Sequence, residues 1–122
     1  MSKMVVEKNY FENRAAAMED IRDTGYWPTT YISDKSPELP LHYHDHDVIG
    51  YLIEGEAYVL DEDGERVPVA AGDRLVLPKG AWHAEGEVTD RMIWIVTFRE
   101  PVSLMEGLMP REPKGPFPSF DG

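Results

Sequence analysis

The stretch GDRLVLPKGAWHAEGE, residues 72–87, decides how this chain is read, together with HYHDHDVIGYLIEGEA at residues 42–57. In the first stretch, Gly72 and Asp73 make a tight turn into a short apolar run. Pro78, with its fixed φ, and the permissive Gly80 then form a second turn that brings His83 back onto a strand. In the second stretch, His42, His44 and His46 lie within five residues. Side chains two apart share one face of a strand, so His42 and His44 point the same way. His46 joins them only if the strand runs on unbroken, and Asp45 and Asp47 are equally compatible with a turn there. Two imidazoles on one strand and a third returned by a turn are a metal-ligand pattern, and His83 is placed to meet the 42/44 pair across a barrel.

Working outward, short runs rich in β-branched and aromatic residues alternate with Gly, Pro and Asp signals. Strands are expected near 27–33, 41–46, 48–54, 56–61, 66–69, 74–78, 81–86 and 91–98, with a hairpin at Asp63-Gly64. Many short strands at even spacing indicate a sandwich or barrel. Residues 92–98 are apolar on both parities, as in a strand covered on both faces. Before them, Phe11, Ala15, Met18 and Ile21 follow helical spacing over 9–25, with Asn9 or Asn13 as cap and Gly25 as stop. After Glu100, five prolines forbid a regular ladder. Leu104, Met105, Leu108, Met109, Phe117 and Phe120 make that tail too apolar to be freely solvated, so packing on the barrel or on a partner subunit is expected. The organisation expected is one domain: a helical segment at 1–26, a barrel at 27–99 and a Pro-rich arm at 100–122.

The two quoted stretches resemble the paired motifs of the cupin superfamily. The first of those reads roughly G-x5-H-x-H-x3,4-E-x6-G and the second G-x5-P-x-G-x2-H-x3-N. Gly72, Pro78, Gly80 and His83 match the second at every position but the last, where Glu87 stands in place of the usual Asn. The resemblance covers residue 40 to about 98 and implies an all-β fold, a single cupin or jelly-roll barrel with one short N-terminal helix. It also implies a divalent transition metal on His42, His44 and His83, whether iron, nickel, copper, manganese or zinc. The family's acidic ligand falls, by register from Gly55, on Val48, which cannot ligate. Asp47, turned inward by a bulge, or His46 are the alternative ligands. Three neutral imidazoles would leave an ion its full positive charge, favouring a small anionic, chelating substrate, as in those cupin dioxygenases that use three histidines. An oxygenase is therefore expected first, and a binding cupin that has lost its metal or a metal-assisted isomerase or lyase are the alternatives. Glu85, two residues after His83 and on its face, is the candidate acid/base. Trp82, Val48 and Tyr51 are candidate pocket residues, and Arg74 and Lys79 are candidate partners for a substrate carboxylate. Family members commonly pair, so a homodimer is expected.

Composition narrows the classes. With 23 acidic and 12 basic residues the formal charge is −11. No basic cluster offsets it, so nucleic acid and anionic membranes are not expected partners. No apolar run approaches the roughly 20 residues of a membrane helix. The N-terminal stretch lacks a signal core of roughly 7–15 apolar residues, and a cytoplasmic location is expected. Without cysteine, disulfides, thiolate sites and thiol nucleophiles fall away together.

Overall fold

The computed structural model describes residues 3–112. Eight strands and two helices follow in the order β1 (Val5–Glu7), α1 (Arg14–Thr24), β2 (Trp27–Ser33), β3 (Val48–Glu54), β4 (Glu56–Leu60), β5 (Arg66–Ala70), β6 (Arg74–Leu77), β7 (Ala84–Glu85), β8 (Met92–Phe98) and α2 (Leu104–Gly107). They build a five-stranded sheet, β1-β6-β3-β8-β2, and a three-stranded sheet, β5-β4-β7. All the pairings are antiparallel. This is the all-β barrel that the strand pattern implied.

Period-two alternation on β3 separates the two sides of the large sheet. Val48 and Leu52 enter the main core with Val59, Val69, Leu75 and Trp94. Ile49 and Tyr51, of opposite parity, meet Ala17 and Ile21 of α1 in a second cluster. β8 obeys the same rule: Met92, Trp94, Val96 and Phe98 face the main core, whereas Ile95 lies under the helix. Its apolar character on both parities reflects these two coverings.

The helix begins at Arg14, where the Asn13 side chain accepts from the Ala16 amide, and ends at Gly25 in the left-handed region (φ 76°). Asn9, the other candidate cap, itself adopts a positive φ of 52° outside the helix. β1 was not expected from the sequence; three residues are too few to show a period, and β1 exists by pairing along β6. Asp73, almost fully buried, ties that corner together. Its carboxylate accepts from Lys8 and from the backbone amides of Asn9 and Ala70. Burial alone would raise its pKa, but these donors together hold it below the usual value.

The expected strand over 41–46 is reduced to single bridges at His42 and Tyr43, and the chain bends at Asp45 and His46. The expected strand over 81–86 is likewise a bridge at His83 followed by β7. The arm contains α2, opened by the Ser103 hydroxyl accepting from the Glu106 amide. Leu104 and Leu108 pack against the main core, and Met105 is exposed. Phe117 and Phe120 lie outside the described residues.

Gly107 is where the arm closes on the barrel. A Cβ there would stand 2.2 Å from the Phe98 ring, and Phe98 is fully buried. Gly107→Ala should therefore cost about 1–3 kcal/mol of stability, measured by urea denaturation, and should speed proteolysis within the arm.

Candidate metal centre

One backbone pairing builds this site. The His42 amide donates to the His83 carbonyl at 2.8 Å, and the His83 amide to the His42 carbonyl at 2.9 Å. Residues directly opposite in an antiparallel pair send their side chains to the same side. Both imidazoles therefore point into the barrel. Residues two further along each segment, His44 and Glu85, share that side. The result is four potential donors whose ligand atoms all lie within 4.8 Å of one another. The ring centroids of the three histidines are 4.5–4.9 Å apart.

Each imidazole is oriented by a backbone carbonyl. His42 Nδ1 lies 2.8 Å from the Pro40 carbonyl, and His83 Nδ1 lies 3.0 Å from that of Ala81. His44 Nδ1 lies 3.3 Å from the Met109 carbonyl, which the arm supplies. A carbonyl only accepts, so these contacts place a proton on each Nδ1 and turn each Nε2 toward the cluster, where that of His42 lies against Glu85. Nε2 of His44 and of His83 is buried with no hydrogen-bond partner among the described residues. Unpaired buried nitrogens of this kind are costly, and a bound ion would satisfy them. Donors held about 2.1 Å from one ion lie roughly 3–4 Å apart, so small side-chain rotations close this cluster onto a metal.

The charges are arranged accordingly. Burial, helped by the neighbouring His83 and His42, pushes His44 down to about 4, so it is neutral at physiological pH. Burial opposes charge on His42 too, but Glu85, whose Oε2 is 3.1 Å from His42 Nε2, raises its pKa above the ordinary value. Burial acts to raise Glu85, but His42 and His83 outweigh it and hold the carboxyl well below the usual carboxylate range. Glu85 is therefore ionised and poorly suited to donate a proton.

The remaining sequence candidates separate cleanly. Val48 lines the cavity beside the cluster. Tyr51 is fully buried on the opposite face of β3, its hydroxyl donating to Asp20. Trp82, of opposite parity to His83, is buried outside the cavity lining. His46, within the bend that ends the segment, has its Nε2 3.6 Å from Glu106. Asp47 accepts from the Lys79 amide at 2.8 Å and lies 3.3 Å from Arg99. Neither of these belongs to the four-donor group. The carboxylate missing at Val48 is thus brought in by Glu85, from the other motif. Its parity with His83 was the signal, although the sequence pointed to it as an acid/base and not as a ligand. The cluster opens onto a cavity of about 620 Å³ inside the barrel.

Comparison with known proteins agrees with this architecture. The cupin domain family profile matches residues 32–98, more than half of the chain. Gentisate 1,2-dioxygenase of a Ralstonia species is 32% identical over 57 residues, 46% of this chain. A Streptomyces gentisate 1,2-dioxygenase is 35% identical over 57 residues. In both, the matched stretch spans only 16% of the relative's length. Among solved structures, a DUF861 family protein from Thermotoga maritima superposes with a TM-score of 0.57 at 19% identity, covering 79% of this chain and 99% of that one. The DMSP lyase DddQ from Ruegeria pomeroyi gives 0.54 at 22% identity, covering 64% of this chain and 40% of that one. At these identities the structural likeness concerns the fold.

Because Glu85 is what raises His42, removing its charge has a defined consequence. In metal-free Glu85→Gln protein, the His42 titration followed by imidazole proton shifts should move to lower pH than in wild type. An unchanged midpoint would separate the two groups electrostatically.

Proposed function

This chain belongs to the cupin domain family, and we propose that it is a metal-dependent member, an Fe(II)-type oxygenase of a small molecule, with the ion held by His42, His44, His83 and Glu85. The observation that carries this reading is the convergence of three buried imidazoles and one carboxylate, with two of the Nε2 atoms lacking a hydrogen-bond partner among the described residues. The partial likeness to gentisate 1,2-dioxygenases supports oxygenase chemistry among the reactions such a centre serves. When bound, the ion supplies a Lewis-acid and redox centre at which substrate and dioxygen are brought together.

The chain's own residues would do the rest. The carbonyls of Pro40, Ala81 and Met109 hold the imidazoles in one tautomer and raise their basicity. Neutral nitrogen donors and a carboxylate suit iron, although nickel, copper, manganese and zinc are all accepted by such a set. Glu85 also alters the charge argument. With three neutral ligands an ion keeps +2, but with an ionised Glu85 it keeps +1. That balance favours a substrate with a single anionic chelating group.

We further propose that the chain forms a homodimer along β2. This strand is the edge of the large sheet, and it carries Trp27, Tyr31 and Ile32 at 54%, 37% and 52% exposure. An apolar, unpaired edge favours pairing with another copy. Sedimentation at micromolar concentration should show a species of twice the chain mass, and a single species of monomer mass would refute the pairing.

The first test of function is elemental mass spectrometry on untagged protein. About one equivalent of a transition metal is expected in wild type, and it should be lost in His83→Ala. Oxygen uptake should then accompany turnover of small acids. Turnover without oxygen uptake would replace the oxygenase with an isomerase or lyase. No metal, even after anaerobic loading with Fe(II), would leave a small-molecule-binding cupin without catalysis.

A further inference from the structure

The cavity's wall carries more information than its metal end. About 620 Å³ is within the range of small-molecule sites, roughly 300–1,000 Å³. The four donors come from the 40–44 and 81–85 segments, but the wall comes from other strands. Val48, Val59, Val69, Leu75, Trp94 and Val96 line it, and all six also belong to the buried main core. The interior of this barrel is thus an apolar container.

Three of its polar side chains are already committed. Tyr58 donates to Glu38 at 2.7 Å, Ser33 to the Asp34 carbonyl at 3.1 Å and Ser36 to the Pro37 carbonyl at 3.2 Å. Among the described lining residues the one lysine or arginine is Arg111, whose Nε lies 2.6 Å from Asp45. Arg74, an expected partner for a substrate carboxylate, faces the other way. It donates to Glu7 at 2.6 Å and to Asp20 at 2.8 Å, while its neighbours Leu75 and Leu77 take the cavity side of β6. Lys79 does not line the cavity either. Away from Arg111 and the Tyr31 hydroxyl, a second anionic or strongly hydrated group on a ligand would therefore lose its water against an apolar wall without gaining a partner.

We propose that the cavity takes a ligand with a single chelating head at the His42–His44–His83–Glu85 cluster and an apolar aliphatic or aryl body along the barrel wall. The same wall disfavours sugars, nucleotides and dicarboxylates. Gly50 shapes it: a Cβ there would stand 3.1 Å from the Trp94 ring, so the glycine lets that indole lie close against β3. The arm completes the enclosure through Leu104 and Leu108, which line the cavity and pack on the core. The head-group half of this assignment rests on the metal reading above, and the apolar body does not.

The test uses two probe series on the full chain. Linear alkanols from butanol to octanol, titrated calorimetrically into metal-stripped protein, report on the wall alone. Affinity should rise about fourfold per methylene, and the methyl resonances of Val48, Val69 and Leu75 should shift. Linear alkanoates on zinc-loaded protein should follow the same slope and bind more tightly than the alkanols. Dicarboxylates of equal length should lose that gain. Flat affinity along the alkanols, dicarboxylates binding as tightly as monocarboxylates, or shifts confined to Trp27 and Ile32 on β2 would each overturn the proposal. A normal alkanol slope with no preference for alkanoates in the presence of zinc would uphold the apolar body and overturn the metal reading.

Discussion

The reciprocal backbone pair between His42 and His83 is the constraint from which the rest of the site follows. It is an isolated bridge, not part of a long ladder, yet it fixes the parity of two segments at once. His42 and His83 must point inward together, and His44 and Glu85 must follow them. Tyr43, Trp82 and Ala84 must take the other side. Because the bridge lies inside the barrel, the imidazoles it brings together are nearly inaccessible: His42, His44 and His83 are all at most 5% exposed. Burial keeps His44 neutral, and the carbonyl contacts leave lone pairs facing one point.

The arm is bound to this arrangement from outside the barrel. Gly107 seats α2 against Phe98, and Arg111 pairs with Tyr43 through both backbone groups, at 2.8 and 3.1 Å. Between these anchors lies Met109, whose carbonyl faces His44. One wall of the cavity and one orienting contact of the cluster are therefore supplied by a segment that follows the last barrel strand. Displacement of the arm would be felt at His44 as well as at the cavity mouth.

The distribution of charge explains how so acidic a chain keeps an apolar interior. Lys8 pairs with Asp73, Arg74 with Glu7 and Asp20, Arg99 with Asp47, and Arg111 with Asp45. Arg99–Asp47 and Arg111–Asp45 stand exposed, where water reduces their cost, whereas the buried Asp73 carboxylate relies on Lys8 and two backbone amides. Inside, the one carboxylate among the imidazoles of the described residues is Glu85, which His42 and His83 hold ionised.

Local pattern was enough for much of this. Alternation and turn residues marked β2 and β3 with the bounds they have in the structure, because both are paired strands with strong β-forming content. The helix stop at Gly25 was legible because capping depends on a few neighbouring residues, and of the two candidate caps, Asn9 and Asn13, the structure uses Asn13, so the helix starts later than its expected span of 9–25. The spacing of His42, His44 and His83 pointed to a common site for the same reason: parity is a property of the backbone. What local pattern does not contain is which face of a strand is which. Tyr51 was as good a pocket candidate as Val48 until α1 was seen to cover its side of β3. Glu85 became a candidate ligand only through the pairing of 42 with 83, a contact across 41 residues of chain. β1 and α2 were hidden because each is too short to show a period; β1 exists by pairing with the distant β6, and α2 by packing back on β8. The sequence by itself determined the barrel, the three histidines and the turns that present them. Tertiary structure alone decided the fourth donor, the arm's place over the cavity and the cavity's apolar lining, since each depends on residues brought together by long-range pairing.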